Sequence, residues 1–278
     1  MRGCRPASAE LYNPFIFPMK DFVSETWRST LIRHGLVDFD ALWKLDAQWF
    51  EPPNQRRGGW SGVSRYELRE AADRSLHVFL KRQENHKTSS WRHPFRGIPT
   101  FLREFRLILR YRAGNVPTLE PVFFGMRDTA DGHRAILMTI ALDGFVPLDT
   151  YITRRAIEKN PPRDAHLGVI KAVAELTRHM HDNHIQHNCY YPKHVFVRSA
   201  ADGSAEARVI DLEKSRMRPL AAICTLRDLD TLNRHAAEWT RSDRLRFLKA
   251  YLRSTRLTSY AKWLWRKLAR RAASKYLR

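Results

Sequence analysis

Asp211, Lys81 and Glu104 are of the right types to move a phosphoryl group, a chemistry that rests mainly on positioning and on neutralising phosphate charge. Asp211 directly follows an apolar run in RVIDLEKS, where a carboxylate can hold Mg2+. Lys81 ends the run LHVFLK and could reach the α- and β-phosphates of ATP, although any strand can end in a lysine. Glu104 in FLREFRLIL could pair with Lys81 or stand as a solvated helix charge. Gly58, Gly59 and Gly62 in GGWSG could let main-chain N–H groups approach phosphates; a plain hairpin turn asks for the same residues. The stretch HIQHNCYYPKHVFVRS, His184–Ser199, gathers His187, Asn188, Cys189 and His194 in one short segment.

Elements must carry these residues. ETWRSTLIRHGLVDFDALWKL spaces its apolar residues helically around a break at Gly35, so the start of the chain reads as helical. EPPNQRRGGWSG reads as a turn-rich basic loop. VSRYEL and SLHVFLKR read as a hairpin turned at REAADR. HKTSSWRHPFRGIPT, with Pro94 and Pro99, reads as a second basic loop, in which Arg92, His93 and Arg96 could meet acceptor phosphates. An amphipathic helix, TFLREFRLILRYRAG, ends at Gly114; two strands, LEPVFFGMRD and HRAILMTIAL, then flank a turn at Asp131-Gly132. The second half is mainly helical. In RDAHLGVIKAVAELTRHMHDN, residues Leu167, Ile170, Val173, Leu176 and Met180 share one face, after a start marked by Pro161 and Pro162. HVFVRS and EARVIDL form a short hairpin around AADGSA.

Of the 278 residues, 43% are hydrophobic, a globular composition. No apolar run reaches the ~18 residues of a membrane span, and the N-terminal stretch does not read as a signal peptide; Met19 is an alternative start. Cys4, Cys189 and Cys224 make neither a disulfide framework nor a zinc pattern, which suits a reduced, cytoplasmic protein. The net charge of +20 attracts polyanions, but no nucleic-acid recognition motif is present, so nucleic acid is not the expected partner. From Arg253 to Arg278 there are basic residues and no acid, with Leu257, Tyr260, Leu264, Leu268 and Ala272 on one face. Such a helix can lie on an anionic inner leaflet, or pack on the protein through the same stripe.

The order of elements (strand, glycine turn, strand with Lys81, helix with Glu104, strands, long helix, loop, hairpin with Asp211, helices) is that of the protein-kinase signature set. RHPFRGIPTFLREF, LMTIALDGFVPLDTYI, QHNCYYPKHVFV, RVIDLEKSR and RDLDTL together resemble the lipopolysaccharide kinase family, and within it the InaA-type members. The resemblance covers roughly residues 56–233. It implies an α+β, two-lobed protein-kinase-like fold, with a small antiparallel-sheet N-lobe containing one helix and a mainly helical C-lobe. It also implies ATP, Mg2+ and a lipopolysaccharide core sugar as acceptor, phosphorylated core or another anionic glycolipid being the partner. On that basis residues 1–55 are an N-terminal extension with helices, 56–142 the N-lobe, 143–252 the C-lobe and 253–278 a basic tail helix.

Carried over onto this sequence, Lys81 is the ATP lysine, Glu104 its partner and Asp211 the metal aspartate. Ile136–Gly144 is the hinge, and Asp228 or Asp230 holds the catalytic loop. His194 stands where kinases have the metal-binding Asn, and His187 opens the loop. Asn188 then falls at the usual Arg and Cys189 at the catalytic Asp; a one-residue shift would put Asn188 at the Asp instead. Either way the proton-accepting carboxylate is missing, and Glu213 replaces the Gly of the DFG motif. Base catalysis is worth ~10²–10⁴-fold, so its loss weakens a kinase without abolishing it. Cys189 could act as a thiolate among Lys193, His187 and His194, or be an inert thiol. A kinase and a nucleotide-binding pseudokinase that regulates envelope assembly are both compatible with these residues.

Overall fold

The computed structural model describes residues 21–56, 58–69, 75–90, 93–158, 162–200 and 202–276. Strand β1 (Phe22–Val23) precedes helices α1 (Glu25–Arg33) and α2 (Phe39–Lys44). Strands β2 (Trp49–Arg56), β3 (Gly59–Arg69), β4 (Ser75–Glu84), β5 (Lys87–Ser90) and β6 (His93–Pro99) lead to α3 (Thr100–Ala113). Then come β7 (Pro121–Thr129), β8 (Gly132–Ile140), β9 (Val146–Pro147), α4 (Leu148–Ile157) and α5 (Arg163–Asp182). Short strands β10 (Ile185–Gln186), β11 (Val195–Ser199), β12 (Ala205–Val209) and β13 (Arg216–Met217) precede α6 (Ala221–His235), α7 (Arg241–Tyr251) and α8 (Ser259–Tyr276).

The N-lobe is an antiparallel sheet in the order β1-β7-β8-β4-β3-β2. Strand alternation divides its faces. Val78 and Leu80 of β4 are buried with Ile136 and Met138 of β8 against Leu31, Phe39 and Leu42 of α1 and α2. The opposite face receives α3, whose Phe105 stacks on Phe124 of β7 at 4.4 Å and 6°. Burying such a ring is worth about 1.5–3 kcal/mol, which seats α3 firmly. The larger core runs from α3 into the C-lobe, where Ile170, Val173, Leu176 and Met180 of α5 are buried. This is the expected two-lobed, kinase-like α+β fold.

Two expected loops are strands. EPPNQRRGGWSG forms β2 and the start of β3, with register shifts between Trp49, Glu51 and Asn54. β2 is the sheet edge, and Pro52 and Pro53 fall in the register irregularity between Glu51 and Asn54, where neither has a registered partner in β3. Within HKTSSWRHPFRGIPT, Lys87–Ser90 and His93–Pro99 pair as the two-stranded ribbon β5–β6. β1 also joins the sheet, beside β7, ahead of the expected helices. The 70–74 turn, Pro161, Arg92, the side chains of His93 and Arg96, and the Met19 start all lie outside the described residues.

The C-terminal helix packs on the protein. Ala261, Leu264 and Leu268 of α8 are buried against α6 and α7, and Trp265 is half-buried beside them. Leu257 and Tyr260, expected on the same face, are exposed: Leu257 precedes the helix and Tyr260 stands in its first turn. A cavity of about 320 Å³ lies between these three helices, lined mostly by apolar side chains. The indole N–H of Trp239, at its wall, is buried without a hydrogen-bond partner in the described structure.

Candidate active site

Three consecutive residues of β4 address two helices, α3 on one face and α2 on the other. Lys81 points to the inter-lobe side and its Nζ donates to Glu104 Oε1 at 2.6 Å. Arg82 points to the other face, where its Nη1 donates to the carbonyls of Trp43 and Leu45, each at 2.9 Å, at the C-terminal end of α2. The side-chain carbonyl of Gln83 accepts from Thr100 Oγ1 at 2.6 Å and from the Phe101 N–H at 3.0 Å. Pro99 at the head of α3 provides no side-chain cap, so Gln83 does so from the neighbouring strand and fixes the turn of helix that carries Glu104. Glu104 is 7% exposed. A buried carboxylate needs its cation, and Lys81 supplies it.

A cleft of about 760 Å³ separates the lobes. Gly62, Phe79, Lys81 and Glu104 line it from the N-lobe. Ala141, Leu142 and Asp143 line it from the expected hinge. Asp143 accepts from Arg65 Nη2 at 3.1 Å and pairs with His77 Nδ1 at 2.7 Å. Lys193, His194, Asp211 and Glu213 line the floor. Of the three glycines only Gly62 borders the cleft. A Cβ there would meet the Trp49 ring at 2.7 Å. Gly58 forms the hairpin tip at φ +77°, a conformation costly for other residues.

The loop is built around Asp228 of α6, which is fully buried. Its carboxylate accepts from the His187 N–H at 2.7 Å and the Asn188 N–H at 3.0 Å. Asn188 is left-handed (φ 65°), and its side-chain amide donates to the Lys214 carbonyl at 3.0 Å. His187 Nε2–H donates to the Ile210 carbonyl at 2.9 Å, and its Nδ1 accepts from the Cys189 N–H at 3.3 Å. Both ring nitrogens are thus engaged by the main chain. Burial holds the imidazole below its ordinary pKa, so it is neutral. Burial, with Asp228 nearby, pushes the Cys224 thiol up to about 11. Cys189 is half-buried, and none of His187, Asn188 and Cys189 is among the residues that line the cleft.

Asp211 stands at a left-handed position (φ 58°) at the head of a 3₁₀ turn, Leu212–Lys214. Tyr111 of α3 contacts Ser215 Oγ at 3.0 Å through its hydroxyl, tying α3 to the chain just beyond that turn. Asp211 Oδ2 lies 3.3 Å from His194 Nε2. His194 Nδ1 must carry a proton, because it bonds to the Cys189 carbonyl at 2.9 Å. A neutral His194 therefore turns a lone pair toward the same space as the Asp211 carboxylate. That is a donor set suited to a divalent cation shared with phosphate oxygens, with the ring oriented by a main-chain carbonyl as metal-binding histidines commonly are. Among the described residues no group of three or more His, Cys, Asp or Glu side chains forms a closed metal cage.

Sequence reasoning gave Lys193 only as a neighbour of Cys189, and it did not find Gln83 or Asp143. Lys193 was findable from its place beside His194. The cap from Gln83 depends on strand pairing that no local pattern encodes.

Residues 40–251 match the profile described as "Lipopolysaccharide kinase (Kdo/WaaP) family". The chain is 35% identical over 184 residues to Protein InaA of Escherichia coli (strain K12), an alignment covering 65% of this chain and 80% of that one. Its fold resembles the structure titled "WaaP in complex with acyl carrier protein", with TM-score 0.62 and 22% identity, covering 91% of this chain and 99% of that one. The chain belongs to the lipopolysaccharide kinase (Kdo/WaaP) family.

Proposed function

We propose that this chain is an ATP-dependent kinase that phosphorylates a sugar hydroxyl of lipopolysaccharide core, or of a related anionic envelope glycolipid, at the cytoplasmic face of the inner membrane. The observation that carries this reading is the placement of the Lys81–Glu104 pair and the Asp211–His194 pair on opposite walls of one cleft. Lys81 holds polyphosphate oxygens, and Glu104 keeps its ammonium aimed into the cleft. Ala141 and Leu142 offer an apolar edge to the adenine. Asp211 and His194 hold Mg2+, which when bound neutralises phosphate charge. No carboxylate stands at the position of the usual base. The hydroxyl proton leaves late in a loose transition state, so positioning and charge carry the rate.

One observation favours a second reading, a nucleotide-binding pseudokinase: neither Cys189, which the sequence aligns with the usual base, nor Asn188, its one-residue alternative, lines the cleft. Two measurements on the purified protein test and separate the readings. Mg-ATP at 100 times its Kd stabilises a one-site protein by about 2.7 kcal/mol. A raised melting temperature with phosphate transfer to purified core oligosaccharide supports the kinase, and a raised one without transfer supports the pseudokinase. No shift at millimolar Mg-ATP overturns both.

A further inference from the structure

Beyond Glu213 of the cleft floor, the stretch from Lys214 to Arg227 carries Lys214, Arg216, Arg218 and Arg227 and no acidic residue. Three large apolar side chains in it face solvent: Met217 (42% exposed), Leu220 (61%) and Ile223 (44%). The Ile223 N–H donates to the Leu220 carbonyl at 3.1 Å, so these two stand one turn apart at the head of α6, and the exposed Arg227 follows a turn later. The stretch is firmly held. Arg216 and Met217 pair with Gln186 and Ile185 of β10. The Arg218 main-chain N–H donates to the His184 carbonyl at 2.8 Å, and its guanidinium donates to Gln186 at 2.5 Å. Cys224 and Asp228 bury the inner side of α6. Further along α6, Asn233 donates to the Leu268 carbonyl at 3.4 Å and Asp230 meets Arg271 at 3.7 Å. The helix α8 thus runs antiparallel along α6 and leaves Leu220 and Ile223 uncovered, beyond the end of a helix whose Arg266, Lys267 and Arg270 are also exposed.

We propose that β13 and the head of α6 form the edge by which this chain docks on an anionic lipid bilayer. Met217, Leu220 and Ile223 enter the headgroup boundary, and Lys214, Arg216 and Arg227 meet lipid phosphates. The proposal rests on the envelope location given above and names the surface that makes it. Apolar tips flanked by cations, with no acid among them, match an anionic bilayer: burial in the interface and attraction to the headgroups act together. Because this stretch joins the cleft floor at Glu213, docking here sets the cleft beside the bilayer in which a glycolipid acceptor is anchored. Asp228, on the same helix, holds the catalytic loop through the His187 and Asn188 N–H groups, so a membrane that orients α6 orients the loop with it.

Co-sedimentation of the full chain with phosphatidylglycerol and with phosphatidylcholine vesicles tests it. The readout needs neither nucleotide nor acceptor, so it fails or stands apart from the kinase reading, which phosphate transfer tests. Leu220→Ser with Ile223→Ser should lower partition onto phosphatidylglycerol vesicles by about tenfold, the effect of withdrawing two aliphatic tips. Arg216→Glu with Arg227→Glu should lower it at low salt and reduce its salt dependence. Both variants should keep the wild-type melting temperature, since the replaced side chains are exposed. Ile157→Ser, which removes an apolar side chain 83% exposed at the end of α4, should change nothing. Undiminished binding in the Leu220 and Ile223 variant, an equal loss in Ile157→Ser, or wild-type binding no stronger to phosphatidylglycerol than to phosphatidylcholine overturns the proposal. So does a wild-type dimer in analytical ultracentrifugation that the serine variant dissolves, which would make this face a contact between copies of the chain.

Discussion

His194 Nε2 faces Asp211 Oδ2 at 3.3 Å while His194 Nδ1–H is held by the Cys189 carbonyl. Two acceptors at that separation repel unless a proton or a cation lies between them. If the cation is Mg2+, His194→Ala should raise by about tenfold the Mg2+ concentration giving half the nucleotide-dependent melting shift. An unchanged Mg2+ requirement would leave His194 only the task of orienting the loop. Asp211→Asn is the matching probe, because asparagine tolerates the left-handed backbone that Asp211 adopts. It should abolish the Mg2+ dependence while the protein stays folded.

Cys189 does not border the cleft. Cys189→Ala should therefore leave phosphate transfer unchanged, and Cys189→Asp should not raise it. Radiolabelled phosphate incorporation into core oligosaccharide measures both. An increase of ~10²-fold with Cys189→Asp would show that a base at this position does reach the acceptor.

Asp228 accepts two main-chain N–H groups in a fully buried site. Asp228→Ala leaves both donors unpaired and should cost about 3 kcal/mol or more in urea unfolding, with loss of nucleotide binding because the loop floor comes apart. Full stability in this variant would contradict the role given to α6.

Burial depresses the pKa of His187 and of His166; for His166 the neighbouring Arg155 adds to the effect. Below the ordinary histidine value of about 6.5, the unfolded chain takes up protons that the folded protein refuses. Stability is therefore retained above that value and lost as pH falls beneath it, by up to ~1.36 kcal/mol per pH unit for each histidine. The depressed pKa of Asp243 acts only in the lower, carboxylate range. Urea midpoints should drop between pH 7.5 and 5.5, and His166→Gln should flatten the drop. Equal midpoints at the two pH values would contradict the burial of neutral imidazoles.

The outward side of α8 carries Lys262, Trp263, Arg266, Lys267 and Arg270, all exposed. Trp263 stacks with Tyr260 at 5.7 Å. An interfacial aromatic among cations suits an anionic bilayer surface. Trp263→Ala with Arg266→Glu and Arg270→Glu should weaken salt-sensitive co-sedimentation with phosphatidylserine vesicles and leave the melting temperature unchanged. Truncation after Thr255 is a poorer probe, since it strips Ala261, Leu264 and Leu268 from the core. Equal sedimentation with neutral and anionic vesicles would count against a membrane face.

The element order was legible because each element has its own period: helical spacing in RDAHLGVIKAVAELTRHMHDN, alternation in SLHVFLKR, and turn residues between HVFVRS and EARVIDL. Lys81 and Glu104 were legible as a pair because both sit on strongly periodic elements. The β2 and β5–β6 strands were not, since prolines usually signal loops; Pro52 and Pro53 sit in a register irregularity of an edge strand. The loop chemistry was half legible. Residue types located His187, Cys189 and His194, but which side chains face the cleft depends on main-chain bonds to Ile210, Cys189 and Asp228. The tail was ambiguous because one apolar stripe can serve a membrane or a core, and the packing of α8 assigns it to the core.

The sequence Lys81-Arg82-Gln83 also works as a key to strand register. A slip of β4 by one residue against β3 and β8 would turn each of the three side chains to the opposite face. The Lys81 ammonium would then be driven under α2, among Leu31, Phe39 and Leu42, without its carboxylate. Arg82, 8% exposed in place, would leave the helix-end carbonyls without a partner. Losing a buried charge's partner typically costs about 3–5 kcal/mol, so mispaired sheets are selected against during folding by the same residues that later hold Glu104 and the end of α2 in position.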